Sequence, residues 1–212
     1  EIMPSLVGSE MCIRDRIYVS DESADFWANR TLFETTPEGE PKRIAGVPPD
    51  YFSEDGQLWG NPLYDWVRMK QDGYRWWLQR IGNSLKIYDA VRIDHFRGFY
   101  RYWAVPADAK TARVGTWEPG PGMELFHAVN AVFSNPQIVA EDLGCEEEGL
   151  VQFLLEAGYP GMKVMQFAYY GWDSIHLPYK YTENYVAYTG THDNDTMLGL
   201  SLIHISEPTR LG

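Results

Sequence analysis

Short apolar segments that stop at acidic residues constrain the fold of this chain more than any other feature of its sequence. Three segments end in this way: "AVRI" before Asp94, "QIVA" before Glu141 and Asp142, and "YVAYTGTH" before Asp193. Segments of helical character, 122–133 and 146–158, lie between them. Short strands that alternate with helices are typical of βαβ units and a parallel sheet. The sequence therefore predicts an α/β fold.

Two parallel architectures fit this alternation, a doubly wound sheet and a (β/α)8 barrel. A doubly wound nucleotide binder carries a glycine-rich turn after its first strand, and no G-x-G-x-x-G follows any predicted strand. In a barrel, catalytic residues gather where the C-terminal ends of the strands meet. The strand-end acids therefore favour a barrel. The 212 residues would form only part of it, because a typical barrel needs about 250 residues.

The rest of the pattern predicts strands at 17–20 and 161–167 and a helix over 63–85. Residues 37–62 are rich in Pro and Gly and are predicted as a long loop. A loop of that length is usually functional, often as a lid or a binding loop.

Charge and composition exclude several classes of partner. A net charge of −12 argues against nucleic acid and anionic membranes, because phosphates repel an acidic surface. No apolar run reaches the roughly 20 residues that span a bilayer. Two cysteines form no disulfide framework, so a cytoplasmic protein is expected. Five histidines without a His-x-His pair or zinc-type spacing predict neither a metal nor another cofactor.

The two ends of the chain differ in origin from its middle. "LVGSEMCIRDR" (6–16) and "LSLIHISEPTR" (200–210) are what the two strands of one transposon-type sequencing adapter encode. We therefore predict that 1–16 and 200–212 are not native and that 17–199 is the central part of the barrel.

Convergent carboxylates suit glycoside chemistry. A retaining glycosidase needs one carboxylate as nucleophile and a second as acid and base, about 5 Å apart. Arg92 lies two residues before Asp94, on the same strand face, and would keep a neighbouring carboxylate ionised. His192 would donate to a substrate hydroxyl. The structural alternative is that strand-end acids cap helices or pair with lysines, but three acids at matching positions favour a site.

The motifs resemble those of a known family. "RIDHFRG" (92–98), "VAEDLG" (139–144) and "GTHDNDT" (190–196) resemble motifs of the amylomaltases, 4-α-glucanotransferases related to the α-amylase clan. "GVPPDYFSEDGQLWGNPLY" (46–64) resembles their long loop near the active-site mouth, and "IYVSDESADFWANRTLF" (17–33) resembles their third-strand region. The resemblance covers essentially all of 17–199 and implies about strands 3 to 7 of a (β/α)8 barrel.

The resemblance also implies roles. Asp94 would be the nucleophile, Glu141 the general acid and then the base, and Asp193 the residue that stabilises the transition state. The implied substrates are maltooligosaccharides and α-1,4-glucans. The residues implied to bind them are Arg92, His95, His192, Trp59, Tyr51 and Phe52.

The sequence departs from the family at one place and leaves two other functions open. The family has a "GDLPIYV"-type third strand, and Arg14 stands in the position of its Asp. An α-amylase-type hydrolase would share the three acids, although the loop at 46–64 argues against it. A non-catalytic glucan-binding relative would not need Asp94 and Glu141 together.

We expect the chain as written to fold poorly and to be inactive, because an open part of a barrel leaves sheet edges unpaired and core faces exposed. Thermal unfolding of the 212-residue chain should show no cooperative transition. A soluble chain that unfolds cooperatively would contradict this expectation.

Overall fold

The computed structural model describes residues 12–50, 53–143, 147–192, 194–196 and 198–199. They form a mixed α/β protein with two compact units, Glu1–Tyr159 and Pro160–Gly212. The strands are β1 (Cys12–Arg16), β2 (Arg43–Val47), β3 (Gln57–Pro62), β4 (Ala90–Asp94), β5 (Arg101–Pro106), β6 (Thr116–Pro119), β7 (Ile138–Ala140), β8 (Gly161–Val164) and β9 (Tyr185–Tyr188). The α-helices are α1 (Ala24–Ala28), α2 (Trp66–Gln71), α3 (Arg75–Leu85), α4 (Met123–Val132) and α5 (Glu148–Ala157). None of these helices is long and apolar enough to cross a bilayer.

A parallel sheet in the order β1-β4-β7 carries the predicted strand ends. Arg16 pairs with Asp94, and Ile93 pairs with Ala140. Strand β4 is confirmed at the predicted residues, and Val91 and Ile93 are fully buried. All three residues of β7 are buried as well, as is typical of a parallel strand that is covered on both faces.

The strand predicted at 17–20 is wrong. The structure places β1 upstream of it, at Cys12–Arg16, and the chain bends at Ile17 and Tyr18. Ile17, Tyr18 and Val19 are nonetheless buried. Their apolar character therefore reflects packing in the core rather than pairing in the sheet. That 1–16 and 200–212 are not native stays a prediction.

A four-stranded antiparallel sheet, in the order β3-β2-β5-β6, replaces the predicted loop. Strands β2 and β3 lie inside 37–62 and pair with each other. Gly56 lies in the connection between them with a φ of +68°, and a Cβ there would lie 2.4 Å from the carbonyl oxygen of Val47. The Gly and Pro residues that suggested an unstructured loop thus mark turns between strands.

Two helices stand where one was predicted over 63–85. Helix α2 begins after Asp65, whose side chain accepts a hydrogen bond from the N–H of Arg68. Gly73 and Tyr74 then adopt left-handed φ values of 71° and 59°, which end one helix before α3 begins. The predicted helices at 122–133 and 146–158 are confirmed as α4 and α5, each slightly shorter.

The second unit contains a parallel pair of strands, β8 and β9. Both were predicted, but β8 ends at Val164 rather than at 167 because residues Met165–Tyr170 form a 3-10 helix.

Aromatic side chains form much of the core of the first unit. Trp77 on α3 is fully buried and contacts Tyr64, Trp66 and Phe99, with ring centroids 5.6, 6.2 and 5.1 Å away. A buried ring with three aromatic neighbours stabilises the fold through the apolar surface that it buries and through its edge-to-face contacts.

Trp77→Ala should lower the free energy of unfolding by about 3–5 kcal/mol, because it leaves a large cavity among rings that cannot close around it. Urea unfolding of the protein expressed from the complete gene measures the change. Trp27 is 75% exposed, so Trp27→Ala is the matched control and should change the free energy by no more than about 0.5 kcal/mol. Equal effects of the two substitutions would contradict this account of the core.

Candidate active site

Asp94 ends β4 between two guanidinium groups. Arg92, on the same strand, pairs with its Oδ1, and Arg14, on neighbouring β1, pairs with its Oδ2. Asp94 is 8% exposed. The two ion pairs thus provide partners for a carboxylate that is deeply buried. The predicted support of Asp94 by Arg92 therefore has its geometric basis here.

Glu141 follows β7, so parallel pairing with β4 brings it beside Asp94. The N–H of Glu141 donates to the carbonyl oxygen of Ile93 at 3.0 Å, and the N–H of Phe96 donates to the carbonyl oxygen of Glu141 at 3.1 Å. These bonds extend the ladder between the strands past the end of β7. The two acids thus leave the sheet at the same edge, as the sequence predicted.

Backbone donors hold the carboxylate of Glu141. The N–H of His95 donates to its Oε2 at 2.7 Å, and the N–H of Leu143 donates to its Oε1 at 2.8 Å. Burial raises the pKa of Glu141 above its ordinary value, and the two hydrogen bonds oppose this rise. Glu141 therefore tends to keep its proton, as a general acid must.

His95 occupies a left-handed backbone conformation with a φ of 53°. This conformation turns its N–H toward Glu141 and its ring toward two aromatic side chains. The ring of Trp59 meets the His95 ring edge-on at 4.7 Å, and the Tyr18 ring lies 6.5 Å away. Burial, aided by the charge of Arg97, lowers the pKa of His95 to about 4. Its imidazole is therefore neutral near pH 7.

The structure brings together five of the residues singled out from the sequence: Asp94, Glu141, Arg92, His95 and Trp59. The roles of all the predicted site residues stay predictions. Tyr51, Phe52 and Asp193 lie outside the described residues, and His192 is exposed within the second unit.

Sequence reasoning missed two neighbours of this site. Tyr18 packs against His95 and Trp59, although the sequence indicated only that it belongs to the third-strand region. Arg14 was noted as a departure from the family, but its pairing with Asp94 was not foreseen. The position of Arg14 could have been inferred, because a strand that ends near residue 16 and pairs in parallel with β4 places residue 14 beside Arg92.

Acidic, histidine and cysteine side chains do not form a metal site in the part of the chain that the structure describes, where no three of them could hold an ion.

A family profile described as 4-alpha-glucanotransferase matches residues 12–201. The chain belongs to this family. It is 51% identical over 195 residues to the 4-alpha-glucanotransferase of Streptococcus pneumoniae (strain TIGR4), covering 92% of this chain and 39% of that protein. It is also 51% identical over 184 residues to the chloroplastic/amyloplastic 4-alpha-glucanotransferase of Arabidopsis thaliana, covering 86% of this chain and 32% of that protein.

A solved structure agrees with this assignment. The amylomaltase from Streptococcus agalactiae, determined in complex with acarbose, superimposes with a TM-score of 0.87 at 44% identity. The match covers 91% of this chain and 39% of that one. This chain thus spans less than half the length of the relatives that it matches, and the resemblance inferred from the motifs is confirmed.

Glu141→Gln should change the pH dependence of stability in a defined direction. Because the pKa of Glu141 is raised in the folded protein, its carboxyl group stays protonated to a higher pH there than in the unfolded chain, where its pKa is 4.5. The stability of the parent protein relative to Glu141→Gln should therefore fall as the pH rises above about 4.5.

Thermal melting of both proteins between pH 4 and pH 7 measures this difference, and His95 contributes equally to both. A difference that stays constant, or that grows in favour of the parent with rising pH, would contradict the raised pKa.

Proposed function

We propose that the complete protein is a retaining 4-alpha-glucanotransferase, with Asp94 as nucleophile and Glu141 as acid and base. The observation that carries the proposal is the pairing of β4 with β7, which sets an ion-paired carboxylate beside one with a raised pKa. Two neighbouring carboxyl groups in different environments, one ion-paired and one that tends to keep its proton, are suited to divide the nucleophilic and acidic roles. Membership of the family supports the same assignment.

The first step breaks the donor glucan. Glu141 gives its proton to the leaving glycosidic oxygen while Asp94 attacks the anomeric carbon, forming a covalent β-glucosyl ester. Arg92 pairs with Oδ1 of Asp94 and orients it for the attack. Asp193 is proposed, from the motif that contains it, to stabilise the oxocarbenium-like transition state, and His192 to bind a sugar hydroxyl.

The second step transfers the glucosyl group. Glu141, now a carboxylate, removes the proton from the 4-hydroxyl of an acceptor glucan, whose oxygen attacks the ester and releases Asp94 with retention. The hydrogen bonds from His95 and Leu143 keep the carboxylate of Glu141 in place between the two steps.

Transfer requires a sugar hydroxyl to react in place of water. Trp59 is 36% exposed beside the neutral ring of His95. An indole face at that position can stack on a sugar ring and exclude solvent. We propose that these residues line the acceptor side and that Tyr51 and Phe52 contact the glucan farther out. The acarbose bound to the Streptococcus agalactiae amylomaltase supports α-glucans as the substrate class.

The finer architecture is also a proposal. The five strands in parallel pairings, β1, β4, β7, β8 and β9, would be about strands 3 to 7 of a (β/α)8 barrel. The antiparallel sheet that includes β2 and β3 would be an insertion after the third barrel strand.

Maltotriose is the substrate that tests the function. The protein expressed from the complete gene, across both predicted adapter junctions, should convert maltotriose into glucose and chains longer than the input. Asp94→Asn should abolish turnover while glucan binding, followed by calorimetry with maltotriose, persists, because Asn cannot form the ester.

The other functions give different products. Glucose and maltose without longer chains would establish hydrolysis and overturn the transferase. Binding without any turnover by the parent protein would leave a non-catalytic glucan-binding relative.

A further inference from the structure

Glu147 lies at the start of α5, at the end of the loop that begins with Glu141. An N-cap side chain ordinarily accepts a hydrogen bond from the first turn of its own helix. The carboxylate of Glu147 makes no such bond. It accepts instead from Nη2 of Arg97 at 3.0 Å and from Nη2 of Arg101 at 2.6 Å. Its side chain therefore serves a contact outside the helix.

A tryptophan ring holds both arginines in place. The guanidinium carbons of Arg97 and Arg101 each lie 4.5 Å from the ring centroid of Trp117 on β6. Planar stacking on an indole fixes a guanidinium fork that would otherwise sample many rotamers. The side chains of Arg97 and Glu147 are only 18% and 28% exposed, so solvent screens this ion pair weakly.

Close packing accompanies the ion pairs. A Cβ at Gly149, in the first turn of α5, would lie 2.2 Å from the hydroxyl oxygen of Tyr100. The start of α5 therefore approaches the turn after β4 as closely as a glycine permits.

The turn after β4 thus contacts two acids that follow β7, Glu141 at the end of the strand and Glu147 at the start of α5. At one end the N–H groups of His95 and Phe96 donate to Glu141. At the other end Arg97, one residue farther along, binds Glu147. We propose that Glu147 is a positioning residue: by holding Arg97 it fixes the turn after β4 that carries the N–H of His95, so that the carboxylate of Glu141 stays on its backbone donors.

This role rests on the proposed function, and its test separates it from a simple effect of charge. If the carboxylate of Glu141 is displaced, the hydrogen bonds from His95 and Leu143 weaken, which raises the pKa of Glu141. Loss of the negative charge of Glu147 alone, with Arg97 and Arg101 left uncompensated, lowers that pKa. Asp94 and Arg92, the charged side chains nearest Glu141, stay the same in either case.

The experiment compares Glu147→Gln with Glu148→Gln in the protein expressed from the complete gene. Glu148 is the exposed acid next in sequence, so the two variants change charge equally. For maltotriose disproportionation, kcat of Glu147→Gln should fall about tenfold with KM within twofold of the parent. The basic limb of its pH profile should move to higher pH. Glu148→Gln should match the parent in kcat, in KM and in the position of the basic limb.

The proposal would be overturned if Glu147→Gln behaves like Glu148→Gln, or if the basic limb of its pH profile moves to lower pH. If Glu147→Gln does not fold, Arg101→Lys keeps the charge but loses the planar stack on Trp117, and it should move the basic limb upward with a smaller loss of kcat. An unmoved limb in Arg101→Lys would also overturn it. An inactive parent protein would instead refute the proposed function.

Discussion

Parallel pairing between β4 and β7 is the constraint on which the candidate site depends. The register sets Ile93 beside Ala140, so the next residue of each strand, Asp94 and Glu141, leaves the sheet at the same level. A slip by one residue would turn each side chain to the opposite face. Buried apolar residues on both strands prevent such a slip, because it would carry charged neighbours into the core.

The two acids differ because their partners differ. Asp94 meets the positively charged guanidinium group of Arg92, on its own strand, whereas Glu141 meets two neutral N–H groups in a largely buried position. The amide dipoles favour the ionised form of Glu141 less than burial disfavours it, so the pKa of Glu141 is raised. The same sheet edge thus carries an ion-paired carboxylate beside one that tends to keep its proton.

Local patterns predicted the elements whose stability is decided locally. The apolar run at 90–94 and the helical periodicity at 122–133 needed no distant partner to be recognised, and both are confirmed. Strands β2 and β3 could not be predicted in this way. Their apolar residues alternate with Arg, Gln, Asn, Gly and Pro in a stretch rich in turn residues, and they are strands because β5 pairs with β2 from more than fifty residues away.

The candidate site shows the same division. Asp94, Glu141 and Arg92 follow from strand ends and from the two-residue repeat of a strand. The contact of Tyr18 with His95 depends on where the chain turns after β1, which no short pattern in the sequence specifies.

The left-handed conformation of His95 has a consequence for how this site can vary. Both donors to the carboxylate of Glu141 are main-chain groups, so among replacements at 95 or 143 only proline, which has no N–H, deletes them. A φ of 53° is accessible to Gly, Asn and Asp and strongly disfavoured for Val or Ile. The ring at position 95 can therefore be exchanged while the acid keeps its geometry, and β-branched residues and proline are barred from that exchange.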